Sequence, residues 1–304
     1  MKVLITGGCG YIGSQLVPFL AKHLKGEDQI VIYDNLSNSD PSLLFRQQLK
    51  NKNIQFIKGD ILDSRSLSKA LRGVDVVVHL AAKITQPFTD VQLDIFDQAN
   101  HWGTASVVDA IDDSDVKLLI NMSTIVVYGT SENDLKESSI PEPITYYGVS
   151  KLKAEQQVQR IRKCKAINLR TANVYGYAPA MRIDSVINRF MFEAHYFGQV
   201  NRVGDGNQSR AFLHIDKLCQ AIFQMLHNEI PSGNYNLAEL NLSVNEVLDK
   251  VMSIYPNLDV ITLNQDAKLA HLNIALPSEI MKYIQFEERS FIDELKEMNQ
   301  TFSF

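Results

Sequence analysis

Residues 2–25 read "KVLITGGCGYIGSQLVPFLAKHLK". "KVLIT" is a short run of branched apolar residues, the pattern of a strand buried on both faces. "QLVPFLAKHLK" has its apolar residues at helical spacing. Between them stand Gly7, Gly10 and Gly13, as Gly-x-x-Gly-x-x-Gly. Glycines between a first strand and a first helix allow a tight turn and close backbone approach to a pyrophosphate. The helix that follows offers unpaired N–H groups and the positive end of its dipole, and Tyr11 and Ile12 lie where those groups begin. A glycine turn without a ligand shares the spacing, but its place directly after a buried strand favours the phosphate loop.

Working outward, "QIVIYDN", "IQFIKGD", "VDVVVHLAA", "KLLINMS" and "AINLRTANV" are further strand-like runs. Helical stretches around "SLSKALRG", "ANHWGTASVVDAID" and "VSKLKAEQQVQRIRK" separate them. This alternation predicts an α/β protein with a Rossmann-type, doubly wound parallel sheet. Later segments are less regular: "GNYNLAE" and "LDVITLN" read as strands, and "SVNEVLDKVMSIY" and "ERSFIDELKEM" as helices. The expected organisation is a nucleotide-binding domain over 1–172 plus about 210–238. A smaller C-terminal α/β substrate domain would take about 173–209 and 239–304.

The bulk properties narrow the function. The 304 residues carry a net charge of −5 with no Lys/Arg block, so nucleic acid and anionic membrane are poor partners. No apolar run approaches the roughly 18 residues of a membrane span, and "MKVLITGG" is too short for a signal peptide. Cys9, Cys164 and Cys219 are scattered and no metal-binding spacing occurs, so a reducing cytoplasm and no metal are expected.

Asp34 closes the second strand-like run, 21 residues after Gly13. A carboxylate there accepts hydrogen bonds from a ribose diol and repels a 2′-phosphate, which points to NAD rather than NADP. The next cation in sequence is Arg46.

"ITYYGVSKLKAE", residues 144–155, follows Pro141 and Pro143 and reads as a helix with Thr145 as N-cap. Tyr147 and Lys151 are four apart and share a face, whereas Tyr146 has Ser150 at that offset. An ammonium beside a phenol favours the phenolate, so Lys151 is expected to lower the pKa of Tyr147. The pair then suits proton transfer from an alcohol during hydride transfer to a nicotinamide. Tyr146 reads as a packed neighbour, and so does Trp102, the only tryptophan. His79, His101 and His214 carry no assigned chemistry.

Taken together, "TGGCGYIGS", "YDNLSNS", "GDILD", "HLAA", "NHWGT", "STIVVYG", "YYGVSK", "LRTANVYG" and "GDGNQSRAFLHIDK" resemble the extended short-chain dehydrogenase/reductase family, in its NAD-dependent nucleotide-sugar epimerase/dehydratase branch. These motifs span roughly residues 3–220. "YDNLSNS", which includes Asn35, resembles the corresponding stretch of UDP-glucose 4-epimerases. The resemblance implies that Asp60 and Ile61 lie beside the adenine, and Leu80, Ala81 and Ala82 near the ribose and pyrophosphate. Asn100 would hold the helix abutting the active site. Thr124 would hydrogen-bond the reacting sugar hydroxyl, Tyr147 would be base and then acid, and Lys151 would hold the nicotinamide ribose. Asn173 and Arg210 would touch the nucleotide diphosphate. Asn100 and Asn173 also fit as helix or turn caps, and Arg210 as a surface ion-pair partner.

Related 4,6-dehydratases carry an Asp-Glu pair directly after the catalytic Thr, and related decarboxylases a Glu. Here Ile125 and Val126 stand there, and two apolar side chains transfer no proton. The expected activity is therefore that of an isomerase, a nucleotide-sugar 4-epimerase acting on a UDP-linked sugar as a homodimer. The family's dimers use two long helices, near 96–112 and 146–163 in this chain. A keto-sugar reductase or dehydrogenase shares the same residues and is the alternative; a dehydratase and a non-catalytic nucleotide-binding protein fit less well. One departure stands out: the usual C-terminal Arg-Pro-Gly-Asp stretch, whose arginine grips a phosphate, is missing from "VITLNQDAKLAHLNIALPSE". Lys268 and Lys282 are the candidate replacements.

Overall fold

The computed structural model describes residues 1–37, 41–46, 49–50, 53–84, 93–263 and 271–303. The first half alternates as its pattern predicts: β1 (Lys2–Thr6), α1 (Tyr11–His23), β2 (Gln29–Asp34), β3 (Ile54–Lys58), α2 (Ser64–Ala70) and β4 (Val76–His79). Next come α3 (Leu93–Phe96), a π-helical turn (Asp97–Trp102), α4 (Gly103–Asp112), β5 (Leu118–Thr124), α5 (Tyr146–Val158) and β6 (Lys165–Thr171). The second half adds β7 (Asn173–Tyr175), α6 (Val186–Phe197), β8 (Gln199–Val203), β9 (Ser209–His214), α7 (Ile215–Met225) and β10 (Gly233–Leu237). It ends with β11 (Leu240–Ser243), α8 (Val244–Ile254), β12 (Asp259–Leu263) and α9 (Phe291–Thr301).

Seven strands form one sheet in the order β3-β2-β1-β4-β5-β6-β10, with every pairing parallel. The order reverses between β1 and β4. In such sheets ligands lie in the crevice beyond the carboxyl ends of the strands at that point. The glycine loop leaves β1 there and Leu80–Lys83 leaves β4.

Successive residues of a strand face opposite sides of the sheet. Val3 and Ile5 accordingly pack with Leu16, Val17, Leu218 and Ile222 of α1 and α7, while Leu4 packs with Leu67, Val107 and Ile111 of α2 and α4. Both faces are covered, which is why these strands read as unbroken apolar runs.

That second face turns polar toward α5. Asn121 and Ser123 of β5 and Asn168 and Arg170 of β6 are all buried. Glu155 of α5 is fully buried and pairs with Arg170 at 2.7 Å, accepting also from the Ser123 hydroxyl at 2.5 Å. Arg170 donates in addition to Tyr128 Oη at 2.8 Å, and Tyr128 donates to Asn236 at 2.8 Å. The buried side of the helix therefore carries Ser150, Lys151 and Glu155 beside Ala154 and Val158.

"AINLRTANV" is not one strand. Ala172 donates the last bond to the large sheet, to Leu237 at 2.9 Å, and the chain then enters a second sheet of order β11-β9-β7. That sheet, the pair β12-β8 and helices α6, α8 and α9 enclose a separate core of Phe190, Met191, Val200, Phe212, Val247 and Leu295. Ser209–His214 belongs to this small sheet, and the chain returns to the large one through α7 and β10.

Two aromatic residues differ from expectation. Trp102 is 58% exposed and Tyr146 is 48% exposed, because each lies on the outward side of its helix. Among the described residues no helix is long and apolar enough to cross a membrane. All three cysteines are free.

A buried charge stripped of its partner costs about 3–5 kcal/mol. Arg170→Met should lose about that much in urea denaturation, and Glu155→Gln/Arg170→Met should recover part of it. A loss below about 1 kcal/mol for the single variant would show that the pair does not hold α5 down.

Candidate functional site

Gly7 has φ +68°, and a Cβ there would stand 2.6 Å from the Ala81 backbone nitrogen. No other residue fits where β1 and β4 release their loops so close together. A Cβ on Gly13 would strike the Gly8 carbonyl oxygen at 2.4 Å, so α1 starts tight against the loop. Gly10 differs: its Cβ would meet only the Gly7 oxygen, at 3.3 Å, and otherwise open space. A side chain there would fill the cradle that a pyrophosphate needs. The first helical bond of α1 runs from Ser14 N–H to the Gly10 carbonyl at 2.8 Å, leaving the amides of Tyr11, Ile12 and Gly13 without helical partners. The Tyr11 hydroxyl donates to the Gly176 carbonyl at 2.7 Å and ties the loop to the second part of the chain.

Asp34 is buried. Its carboxylate accepts from Cys9 N–H at 3.0 Å and Leu36 N–H at 2.8 Å, so from the end of β2 it braces the glycine loop. Asn35 donates to Asp60 at 2.9 Å, and Asp60 accepts from Leu62 N–H at 2.9 Å, joining the loops after β2 and β3. Ile61 lies against Gly103, where a Cβ would meet it at 2.4 Å. Leu80 N–H donates to Thr6 at 3.0 Å, and Ala81 and Ala82 follow half-buried. The residues read as nucleotide-facing thus lie on or beside the loops that follow β1, β2, β3 and β4, and the open space at Gly10 with the free α1 amides has the shape and donors that a dinucleotide's pyrophosphate needs.

The reacting end is built from β5, α5 and the π turn. Thr124 ends β5 and accepts from Val126 N–H at 3.2 Å, and its hydroxyl favours the ionised form of Tyr147. Thr145 caps α5 by accepting from Gly148 N–H at 3.0 Å. Phe96 meets the Tyr147 ring edge-on, with centroids 6.2 Å apart. Asn100 is fully buried; it donates to the Lys83 carbonyl and to Ser150 Oγ, both at 2.9 Å, and accepts from Lys83 N–H at 2.8 Å. Both amide hydrogens are thereby engaged, so Asn100 is a brace between the loop after β4 and α5, not a donor to a ligand.

The electrostatics differ from expectation. Burial pushes the Tyr147 phenol above its ordinary range, opposed by the guanidinium of Arg182 and by the Thr124 hydroxyl. Lys151 is itself buried, which lowers its ammonium to about 8, with Glu155 opposing. At both groups burial outweighs the neighbouring charges that favour the ionised form. Arg182, in the loop between β7 and α6, was missed in the sequence because nothing local marks it. Its chelate to Asp184, at 2.8 and 3.1 Å, fixes its place.

Ile125 is 1% exposed within the core and Val126 packs beside it. Asn173 and Arg210 lie in the small sheet, on β7 and β9. Asn173 donates to the Ala211 carbonyl at 3.1 Å and Arg210 to the Ser209 carbonyl at 3.0 Å. Lys282 pairs with Glu279 at 3.3 Å on the surface. Lys268 lies outside the described residues.

This is the build of an extended short-chain dehydrogenase/reductase. A family model described as "NAD dependent epimerase/dehydratase family" matches residues 3–238, and the chain belongs to that family of NAD-dependent enzymes. It is 31% identical over 272 residues to dTDP-D-glucose 4,6-dehydratase of Dictyostelium discoideum, covering 83% of this chain and 62% of that protein. The chain thus spans less than two thirds of that relative's length. Among solved structures it matches a dTDP-glucose 4,6-dehydratase, DesIV of Streptomyces venezuelae with NAD bound. The TM-score there is 0.87 at 26% identity, over 99% of this chain and 96% of that one. It also matches a UDP-N-acetylglucosamine 4-epimerase of Methanobrevibacter ruminantium. There the TM-score is 0.86 at 25% identity, over 98% and 97% of the two chains.

A lysine whose folded pKa is depressed binds fewer protons folded than unfolded between the two values. Stability linked to Lys151 therefore falls as pH drops from 10.5 toward 8, and the cost is complete below about 8. At roughly 1.4 kcal/mol per unit the cost at pH 7 is about 3 kcal/mol in the nucleotide-free protein. Lys151→Met should be more stable than the parent at pH 7, by up to that amount, and the gap should narrow toward pH 10. Equal urea midpoints at both pH values would contradict this.

Proposed function

We propose that the protein is an NAD-dependent nucleotide-sugar 4-epimerase acting on a UDP-linked sugar. It would oxidise a sugar hydroxyl transiently and return the hydride to the opposite face. NAD, when bound, supplies the reversible hydride acceptor. Gly7, Gly10, Gly13 and the α1 amides would hold its pyrophosphate, Asp34 a ribose, and Lys151 the nicotinamide ribose. The part built on β7, β9, β11, α6, α8 and α9 would hold the sugar nucleotide, with Asn173 and Arg210 assigned to the diphosphate.

Thr124 orients the sugar hydroxyl toward Tyr147. Tyr147 takes the hydroxyl proton as phenolate and gives it back when the sugar is reduced again, so no net proton is gained or lost. The observation that carries this choice is the apolar pair Ile125 and Val126 beside Thr124. Elimination of water needs a further acid and base at the sugar, and these side chains supply neither. The similarity to dehydratases keeps dehydration as the second reading.

The test is incubation with UDP-glucose, UDP-galactose and their N-acetyl forms, scored by chromatography. Isomerisation without steady change at 340 nm is expected. A 4-keto-6-deoxy product from a dTDP- or UDP-sugar would favour dehydration, and steady NADH turnover a reductase. Tyr147→Phe should lower kcat by roughly 100-fold or more, the usual worth of a general base.

The pH profile follows from the two shifts. Because the phenol lies above its ordinary range, phenolate is scarce at neutral pH and kcat/KM should climb from pH 6. The climb should bend near pH 8, where Lys151 sheds its proton. A profile flat from pH 6 to 8 would remove Tyr147 as the base.

We also propose a homodimer formed through α4 and α5, supported by the exposed Trp102 and Tyr146 on that side. Trp102→Glu should shift the sedimentation coefficient from dimer to monomer.

A further inference from the structure

We propose that His79 is a positioning residue, held in a single tautomer, that fixes the π turn and through it the first turn of the helix bearing Tyr147 and Lys151. The inference rests on the epimerase reading only for its kinetic arm.

His79 ends β4 and is 1% exposed. Its Nδ1 stands 2.6 Å from Thr6 Oγ1 and its Nε2 stands 3.0 Å from Thr104 Oγ1. Thr6 and Thr104 are both fully buried. Each hydroxyl has one proton, and that settles the direction of every bond. Thr104 donates its proton to the Asn100 carbonyl at 2.6 Å. It must therefore accept from His79, so Nε2 carries the hydrogen. Nδ1 of the neutral ring is then an acceptor and receives the Thr6 proton. The Thr6 oxygen in turn accepts from Ala81 N–H at 3.3 Å.

A second run starts from the side chain of Asn100. Its amide donates to Ser150 at 2.9 Å, and Ser150 Oγ donates to the Tyr147 carbonyl at 2.8 Å. Two runs of hydrogen bonds, joined covalently through Asn100 from its backbone carbonyl to its side-chain amide, thus lead from Ala81, beside Gly7, to the backbone of Tyr147. The π turn is what makes Asn100 available. Gly103 N–H bonds back five residues to the Gln98 carbonyl, and the wide turn lets the Thr104 hydroxyl serve the Asn100 carbonyl. Protonating His79 would set a second ring hydrogen against the Thr6 hydroxyl proton and break the order. Burial, with the charge of Lys151 in the same direction, lowers the ring to about 3, so the order persists at working pH.

The test uses near-isosteric variants that keep the packing. In ¹⁵N-histidine-labelled protein, His79 should show a protonated Nε2 and a bare Nδ1, unchanged from pH 5 to 9. An Nδ1–H tautomer, or a titration in that range, would overturn the proposal. Thr104→Val should shift the Tyr147 ring resonance in ¹³C-tyrosine-labelled protein, and Thr104→Ser should restore it. Unchanged resonances in Thr104→Val would also overturn it. With an active substrate, Thr104→Val should lower kcat roughly ten- to a hundredfold with KM unchanged, as misplaced reacting groups do, and Thr104→Ser should recover it. Full kcat per folded molecule in Thr104→Val would reduce the chain to a stability role. If no nucleotide sugar turns over in the parent protein, the functional reading fails, and the two spectroscopic arms still decide the role of His79.

Discussion

The candidate reaction centre depends on an ion pair that never meets the substrate. Glu155 and Arg170 are both withdrawn from water, and their opposite charges are satisfied only when α5 lies on β6 at one height and one rotation. Apolar packing tolerates sliding, because its strength follows area rather than direction. A forked guanidinium against a carboxylate does not. Tyr147 and Lys151, two turns and one turn before Glu155, inherit that fixed register. The low dielectric that makes the pair directional also makes Lys151 costly to keep charged. The helix is thus anchored by one buried ion and burdened by another.

The residues most legible in the sequence are those whose geometry is set within a few positions. The glycine spacing, the alternation of strands and helices, the Thr145 cap and the Tyr147–Lys151 offset depend on local periodicity, which a single chain displays. Features that depend on distant partners were hidden. Nothing near "KLKAEQQV" marks the polar underside of α5, because its complement lies on β5 and β6. "AINLRTANV" looks like one strand because both sheets ask for the same apolar alternation. Asp34 was read for its ribose and proved also to brace the glycine loop, a contact made from the end of β2 to the loop after β1. The pKa of Tyr147 went the other way for the same reason: proximity in sequence signalled charge, while burial, which only the fold reveals, outweighed it.

Ile125 and Val126 show how chemistry is narrowed by what a position lacks. Both face hydrophobic neighbours, and a carboxylate placed at Ile125 would have to be desolvated. The hydrophobic core thus reaches to the edge of the reacting centre. A chain that needed an extra acid there would have to rebuild the packing beneath it.

The order of segments along the chain has a consequence for how the molecule is made. The seventh strand of the large sheet, β10, is translated only after β7, α6, β8 and β9 of the second part, and until it arrives β6 is an open edge. That edge exposes Asn168 and Arg170 along with backbone groups that later pair with residues 233–237. On the ribosome the nucleotide-binding half therefore cannot close when its own six strands have emerged. It waits for some sixty residues of intervening chain, a delay in which an unpaired parallel edge is open to chaperones or to neighbouring nascent chains. The two parts are in this sense joined by the timetable of synthesis: the large sheet closes only after the first strands of the second part exist, and the second part is finished later still, with α9.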